Sequence, residues 1–95
     1  MKIIREDNGR EGAFKAIDKD MEMGEMTYVW RGKDKILIDH TGVDPEFEGQ
    51  GVGKRLFDEA VHFAREKEVK IVPICPFVVA LCKRDPSTKD IVADY

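Results

Sequence analysis

Glu48-Gly49-Gln50-Gly51-Val52-Gly53-Lys54-Arg55 sets glycine at alternate positions and runs straight into an amphipathic segment. Glycine lets the backbone turn its amides toward a ligand, and a helix N-terminus adds unpaired N–H groups with a field that favours an anion. From Val52 to Lys67 the pattern is helical: at about 100° per residue, Val52, Leu56, Phe57, Ala60, Val61, Phe63 and Ala64 share one side. Arg55, Asp58, Glu59, His62, Arg65 and Glu66 share the other, with His62 reading as a solvated residue of the polar face. Gly53 falls on the apolar arc, so it is expected to lie against the sheet.

Before this helix the period is that of strands. Short strands are expected at Lys2 to Arg5 and Ala13 to Ile17, separated by the turn signal Asp7-Asn8-Gly9-Arg10. Asp18-Lys19-Asp20 and Met23-Gly24 are read as breaks ahead of a third strand, Glu25 to Arg31, whose Met26, Tyr28 and Trp30 make the core face. Lys35 to His40 follows; its Ile36-Leu37-Ile38 is apolar on both faces, as in a central strand. After the helix, Val69 to Ile74 reads as a strand and Pro76 opens a second helix over Phe77 to Lys83. Pro86-Ser87-Thr88 is read as starting a last helical turn through Ile91-Val92. A strand-helix-strand unit implies a right-handed crossover, with the fifth strand parallel to the fourth. The expectation is an α+β fold in one domain, residues 1–95: antiparallel strands one to four, a helix, a parallel fifth strand and a short C-terminal helix.

Composition narrows the partners. The 95 residues are 42% hydrophobic and 37% charged, with a formal charge of -3, which gives no general attraction to nucleic acid or an anionic membrane. The first residues become charged too soon for a secretory signal, and no run approaches the roughly 18 apolar residues of a membrane span. Cys75 and Cys82 are too few for a disulfide scaffold, lack redox Cys-x-x-Cys spacing, and join no zinc pattern with the 2 histidines. A cytoplasmic protein with reduced thiols and no metal is expected.

The glycine loop fits neither common nucleotide motif. A Walker-type loop needs four residues between its glycines and then Lys-Ser/Thr; here the spacing is one residue short and Arg55 replaces the hydroxyl. A dinucleotide fingerprint spaces its glycines differently and follows a parallel strand. The loop instead resembles the pyrophosphate-binding segment of the GNAT superfamily of acetyl-CoA-dependent N-acetyltransferases, an Arg/Gln-x-x-Gly-x-Gly/Ala motif matched by Gly51-Val52-Gly53. The likeness extends from about Lys35 to Ala80 and is nearest to very small members carrying a His-Thr strand end and a Pro-x-Cys-Pro-Phe segment, here His40-Thr41 and Pro73-Ile74-Cys75-Pro76-Phe77. Two departures are plain: Glu48 occupies the Arg/Gln position, with Gln50 nearby, and the chain has no room for the helices and last strands that frame the acceptor in larger members.

The resemblance implies acetyl-CoA as co-substrate, an amine acceptor of unidentified kind, and neither nucleic acid nor membrane as partner. It implies that Thr41, Gly42 and Val43 line the pantetheine arm through their backbone, and that Gly49, Gln50, Gly51, Val52, Gly53, Lys54 and Arg55 hold the pyrophosphate. The tyrosine that protonates the departing thiolate in many members has no counterpart on the helix after the fifth strand. Cys75, between a strand end and a helix start, is the replacement candidate: the helix dipole would lower its pKa and make it a nucleophile. Contact with CoA or packing is the other reading. His40 is placed to serve as a base toward an incoming amine, or to stabilise the turn. Cys82 reads as a packing residue. Two functions follow, a small N-acetyltransferase or a CoA-binding or protein-interaction module with little chemistry.

Overall fold

The computed structural model describes residues 1–94. Strands β1 (Lys2–Asp7), β2 (Glu11–Asp18), β3 (Met21–Arg31) and β4 (Lys35–Val43) form an antiparallel meander, followed by helix α1 (Val52–Lys67), strand β5 (Lys70–Pro73) and helix α2 (Pro76–Arg84). The sheet runs β1-β2-β3-β4-β5, and β5 pairs parallel to β4 from Lys35↔Lys70 to Ile38↔Pro73. Among the described residues no helix is long and apolar enough to cross a membrane.

The α1 limits agree with the amphipathic reading, while three other expectations change. β3 begins at Met21, so Met23-Gly24 is strand and not a break. The register skips Met23 between Ala16↔Gly24 and Ile17↔Glu22, and the bulge turns Met23 into the core, where it is 5% exposed. Gly24 is needed in this strand because a Cβ there would stand 2.8 Å from the Gly42 carbonyl oxygen and 3.2 Å from Val52 Cγ1. Second, β4 continues past His40, where the apolar pattern stops, to Val43, in keeping with the strand end at Thr41, Gly42 and Val43 that the resemblance implies. Third, the helical turn after Pro86 ends at Thr88, and Val92 forms a parallel bridge with Ile71 instead of a further turn. Ile71 N–H donates to the Ile91 carbonyl at 2.6 Å and Ala93 N–H to the Ile71 carbonyl at 2.9 Å. The tail thus satisfies backbone groups along the outer edge of β5 that a helix would leave open.

α1 lays Leu56, Phe57, Ala60 and Ala64 on one sheet face, against Phe14, Ala16, Met26, Tyr28, Ile36 and Ile38, all 0–1% exposed. At one end this core is closed by a polar latch. Asp7 Oδ2 accepts from Tyr28 Oη at 2.5 Å, from Trp30 Nε1 at 2.8 Å and from Arg5 Nη1 at 3.0 Å, while Arg5 lies 4.3 Å over the Phe63 ring. Phe14, Tyr28, Trp30 and Phe63 pack around it with centroids 5.5–6.5 Å apart. Met26 and Tyr28 are therefore core, as their alternation suggests, and Trp30 is half-buried.

The latch makes stability pH-dependent. Partial burial works to raise the Asp7 pKa, but hydrogen bonds from Tyr28, Gly9 and Trp30 and the charge of Arg5 outweigh it and hold it below the ordinary 3.8. Burial, then the hydrogen bond to Asp7, pushes Tyr28 up to about 12. A depressed carboxyl stabilises the fold above its unfolded pKa, and this is lost as pH falls through the folded value. Melting temperatures should therefore fall as pH drops below about 4. Asp85, bonded to Ser87, and Asp90, bonded to Arg65, are lowered too and contribute in the same window. Asp7→Asn should lower the melting temperature at pH 7 and make the acid loss shallower. An acid limb unchanged in that variant would remove Asp7 as a source.

Candidate active site

The sheet opens where β4 meets β5. In the β3–β4 register Thr27 faces His40 and Tyr28 faces Ile38, so Asp39 is an extra, bulged residue, and β4–β5 pairing stops at the same point, Ile38↔Pro73. A bulge bends its strand and increases local twist, and Pro73 brings no N–H to extend the ladder. The Ile38 carbonyl then accepts from both Ile74 N–H (3.1 Å) and Cys75 N–H (3.0 Å), which turns the chain out of β5 and into α2. Pro76 follows at the first helical position, where no N–H is needed.

Beyond the bulge, β4 has one edge on β3 and the other on the gap. Asp44 N–H donates to the Met23 carbonyl at 2.9 Å, so by the alternation of an antiparallel ladder Gly42 and His40 also bond to β3. The intervening Thr41 and Val43 turn their N–H and C=O groups toward the gap. An extended ligand lying there would meet them as a strand meets a sheet edge.

Cys75 stands at the apex of the fork, 7% exposed, as the N-cap residue of α2 with extended backbone. Its Sγ lies 3.4 Å from Thr41 Oγ1, a contact across 34 residues that joins the two arms. Sequence reasoning assigned Thr41 only through its backbone; its hydroxyl had no signal, because neither spacing nor periodicity relates it to Cys75. Cys82 is half-buried against the core; burial first, then Asp85 and Cys75, push its thiol up.

His40, one residue from Thr41, points to the opposite face and is exposed, with Nε2 3.0 Å from where a Gly42 Cβ would stand. The structure thus brings Thr41 to Cys75 but sets His40 across the sheet, next to Asp39, whose Oδ1 accepts from Thr27 Oγ1 at 2.7 Å. A reactant lying between the arms would have Cys75 and Thr41 to one side and His40 to the other.

The glycine loop closes the same end. Asp44 caps a short 3-10 turn, Pro45–Phe47, accepting from Glu46 N–H at 3.0 Å. Gly49 (φ 80°) and Gly51 (φ 76°) are left-handed, a conformation costly for any other residue, and no atom lies near where their Cβ would be. Gly51 is the α1 N-cap and has no side chain to bond the first amides; the first turn carries no acid. Among the described residues, the amides of Val52, Gly53 and Lys54 therefore have no side-chain acceptor at the positive end of a 16-residue helix. Gln50 and Arg55 are exposed, and Lys54 Nζ pairs with Asp58 at 2.5 Å. Gly53 is buried, but against α2 and not the sheet: a Cβ there would meet Phe77 Cζ at 2.6 Å. The ring that begins α2 thus rests on the first turn of α1, tying the loop to the Cys75 segment. His62 stays outside, paired with Glu66 at 2.7 Å.

A mixed sheet that parts between its fourth and fifth strands, with a glycine loop and helix between them, places the chain in the α+β class of acetyltransferase folds. A family model described as GCN5-related N-acetyl-transferase matches residues 13–91, and the chain belongs to that family. The solution structure of a GCN5-like protein from Staphylococcus aureus is 32% identical, with a TM-score of 0.69 over 97% of this chain and 89% of that one. Protein NATD1 of Xenopus tropicalis is 30% identical over 61 residues, 64% of this chain and 56% of that protein. A GNAT family acetyltransferase from Elizabethkingia anophelis with acetyl-CoA bound shares the fold at 19% identity, with a TM-score of 0.58 over 65% of this chain and 41% of that one. The curated relatives are longer: the matched stretches amount to 38% and 56% of their lengths.

Proposed function

We propose that this single small domain is an acetyl-CoA-dependent N-acetyltransferase working through Cys75, of the Pro-x-Cys-Pro-Phe kind. The observation that carries this reading is Cys75 Sγ, 3.4 Å from Thr41 Oγ1 at the apex of the fork. Acetyl-CoA would lie with its pyrophosphate on the amides of Gln50 to Lys54 and its pantetheine arm along Thr41 and Val43, which leads the thioester toward Cys75. Support comes from the family and from the neighbour that holds acetyl-CoA.

The transfer has two balanced steps. Cys75 sulfur attacks the thioester carbonyl; the new C–S bond forms, the bond to CoA breaks, and the thiol proton ends on CoA sulfur. Thr41 Oγ1 is placed to donate to sulfur when it carries charge. The neutral acceptor amine then attacks the acetyl-Cys75 carbonyl; the C–N bond forms, Cys75 leaves as thiolate, His40 on the acceptor side takes the amine proton and returns it to solvent, and the thiolate takes a proton from solvent. α2 (Pro76–Arg84) contains no tyrosine to act as a direct acid, which favours the route through sulfur.

The cofactor half is tested by calorimetry with CoA. Gly51→Glu brings a carboxylate to the mouth of the amides and should weaken binding at least about tenfold. Gly51→Ala separates the strain of a left-handed residue from the charge, and should weaken it less. Equal affinity in wild type and Gly51→Glu would remove the loop from the site.

A further inference from the structure

We infer that the sheet face opposite α1 is the docking surface for a lysine-rich polypeptide segment whose amine is the acceptor; this rests on the transferase reading above. Strand alternation sends Phe14, Ala16, Met26 and Tyr28 toward α1, and Glu6, Glu11, Glu25, Thr27, Val29 and Asp39 toward the other face. That face forms an open trough of about 600 Å³ running from β1 to β4. The lining of the trough is mainly acidic, while Lys2, Arg31 and Lys35, which alternation puts on the same face, lie outside it. Among the described residues Lys15 is the one basic side chain lining it, and it is already held by Glu6 at 2.8 Å and Glu22 at 3.7 Å. Val29, 38% exposed, gives an apolar floor among the carboxylates, suited to the methylenes of a lysine side chain.

The trough leads to the fork. Glu25 belongs both to it and to a smaller hollow of about 240 Å³ that is lined by His40, Gly42 and Val43. An acceptor held on this face would therefore present an amine beside His40, across the sheet from Cys75. β1 to β4 spans three strand spacings, about 14 Å, the reach of about four extended residues. An open trough that touches its ligand from one side holds a small amine poorly, since small ligands need enclosure. Exposed ion pairs are individually weak, so several must act together, and a chain carrying lysines at intervals supplies them.

The test uses the whole protein and a blocked peptide of alternating alanine and lysine, with the glutamate version and spermine as comparisons. Amide shifts on titration should map to Glu11, Glu25, Val29 and Asp39, with affinity falling as salt rises. Glu11→Gln with Glu25→Gln should weaken the lysine peptide about tenfold and leave CoA affinity unchanged. Unchanged peptide affinity in that variant, shifts confined to α1 and α2, or spermine binding as tightly as the peptide would each overturn the inference. Binding that maps to this face without acetylation of the peptide would support the docking surface and count against the transferase reading. Acetylation indifferent to Glu11 and Glu25 would do the reverse.

Discussion

Cys75→Ser is expected to reduce acetyl transfer at least about a hundredfold while leaving CoA affinity near that of the wild type. Serine has nearly the same size, so the turn from β5 into α2 and the two hydrogen bonds to the Ile38 carbonyl should survive; they use backbone N–H groups alone. A hydroxyl can also keep the contact that Thr41 makes with sulfur at 3.4 Å. What the variant loses is sulfur, a far stronger nucleophile toward a thioester than a hydroxyl oxygen. Intact-mass measurement after mixing with acetyl-CoA should find one acetyl group on wild-type protein, removed by a competent amine, and none on Cys75→Ser. Cys82→Ser is the control and should retain both adduct and turnover, because burial and Asp85 hold that thiol up. Full turnover in Cys75→Ser would make Cys75 a contact residue and leave direct attack by the amine as the mechanism. CoA binding by a wild-type protein that never acquires acetyl would favour a binding module.

The largest loss of stability should come from Gly12→Ala. A Cβ at Gly12 would stand 2.4 Å from Tyr28 Oη, 2.5 Å from Tyr28 Cζ and 2.6 Å from the Glu6 carbonyl oxygen. No small adjustment relieves this. Tyr28 is 1% exposed and fixed by Asp7 and Arg5, and the Glu6 carbonyl belongs to β1, which pairs with β2 at that point. Either β1 moves off β2 or the phenol leaves Asp7, so overpacking and a broken buried hydrogen bond act together. The expected cost is about 2–4 kcal/mol, which for a domain of this size lowers the melting temperature by roughly 10–25 °C. Thermal melts followed by circular dichroism would show it. A shift of a degree or two would mean that the strands yield more easily than their geometry implies.

The sequence alone settled what depends on local period and backbone chemistry. α1 (Val52–Lys67) and the Pro76 start of α2 were legible because a 3.6-residue apolar stripe and proline's missing N–H act within one element. Gly49 and Gly51 announced a loop of unusual conformation, and both prove left-handed. Meander order and the parallel β5 followed from turn residues and the handedness of crossovers. Three features were beyond its reach because each is set by a partner distant in the chain. Met23-Gly24 looked like a break until the bulge against β2 and the closeness of Gly42 gave each residue a place in β3. Ile91-Val92 has helical company on its N-terminal side, yet the open edge of β5 takes it up through two backbone hydrogen bonds with Ile71. The site itself is the clearest case. His40, Thr41 and Cys75 could be named as candidates, but which side of the sheet His40 and Thr41 face depends on the register shift at Asp39, and a shift of one residue exchanges the faces. Only the folded sheet puts Thr41 on Cys75, turns His40 to the acidic face, and lays Phe77 over Gly53.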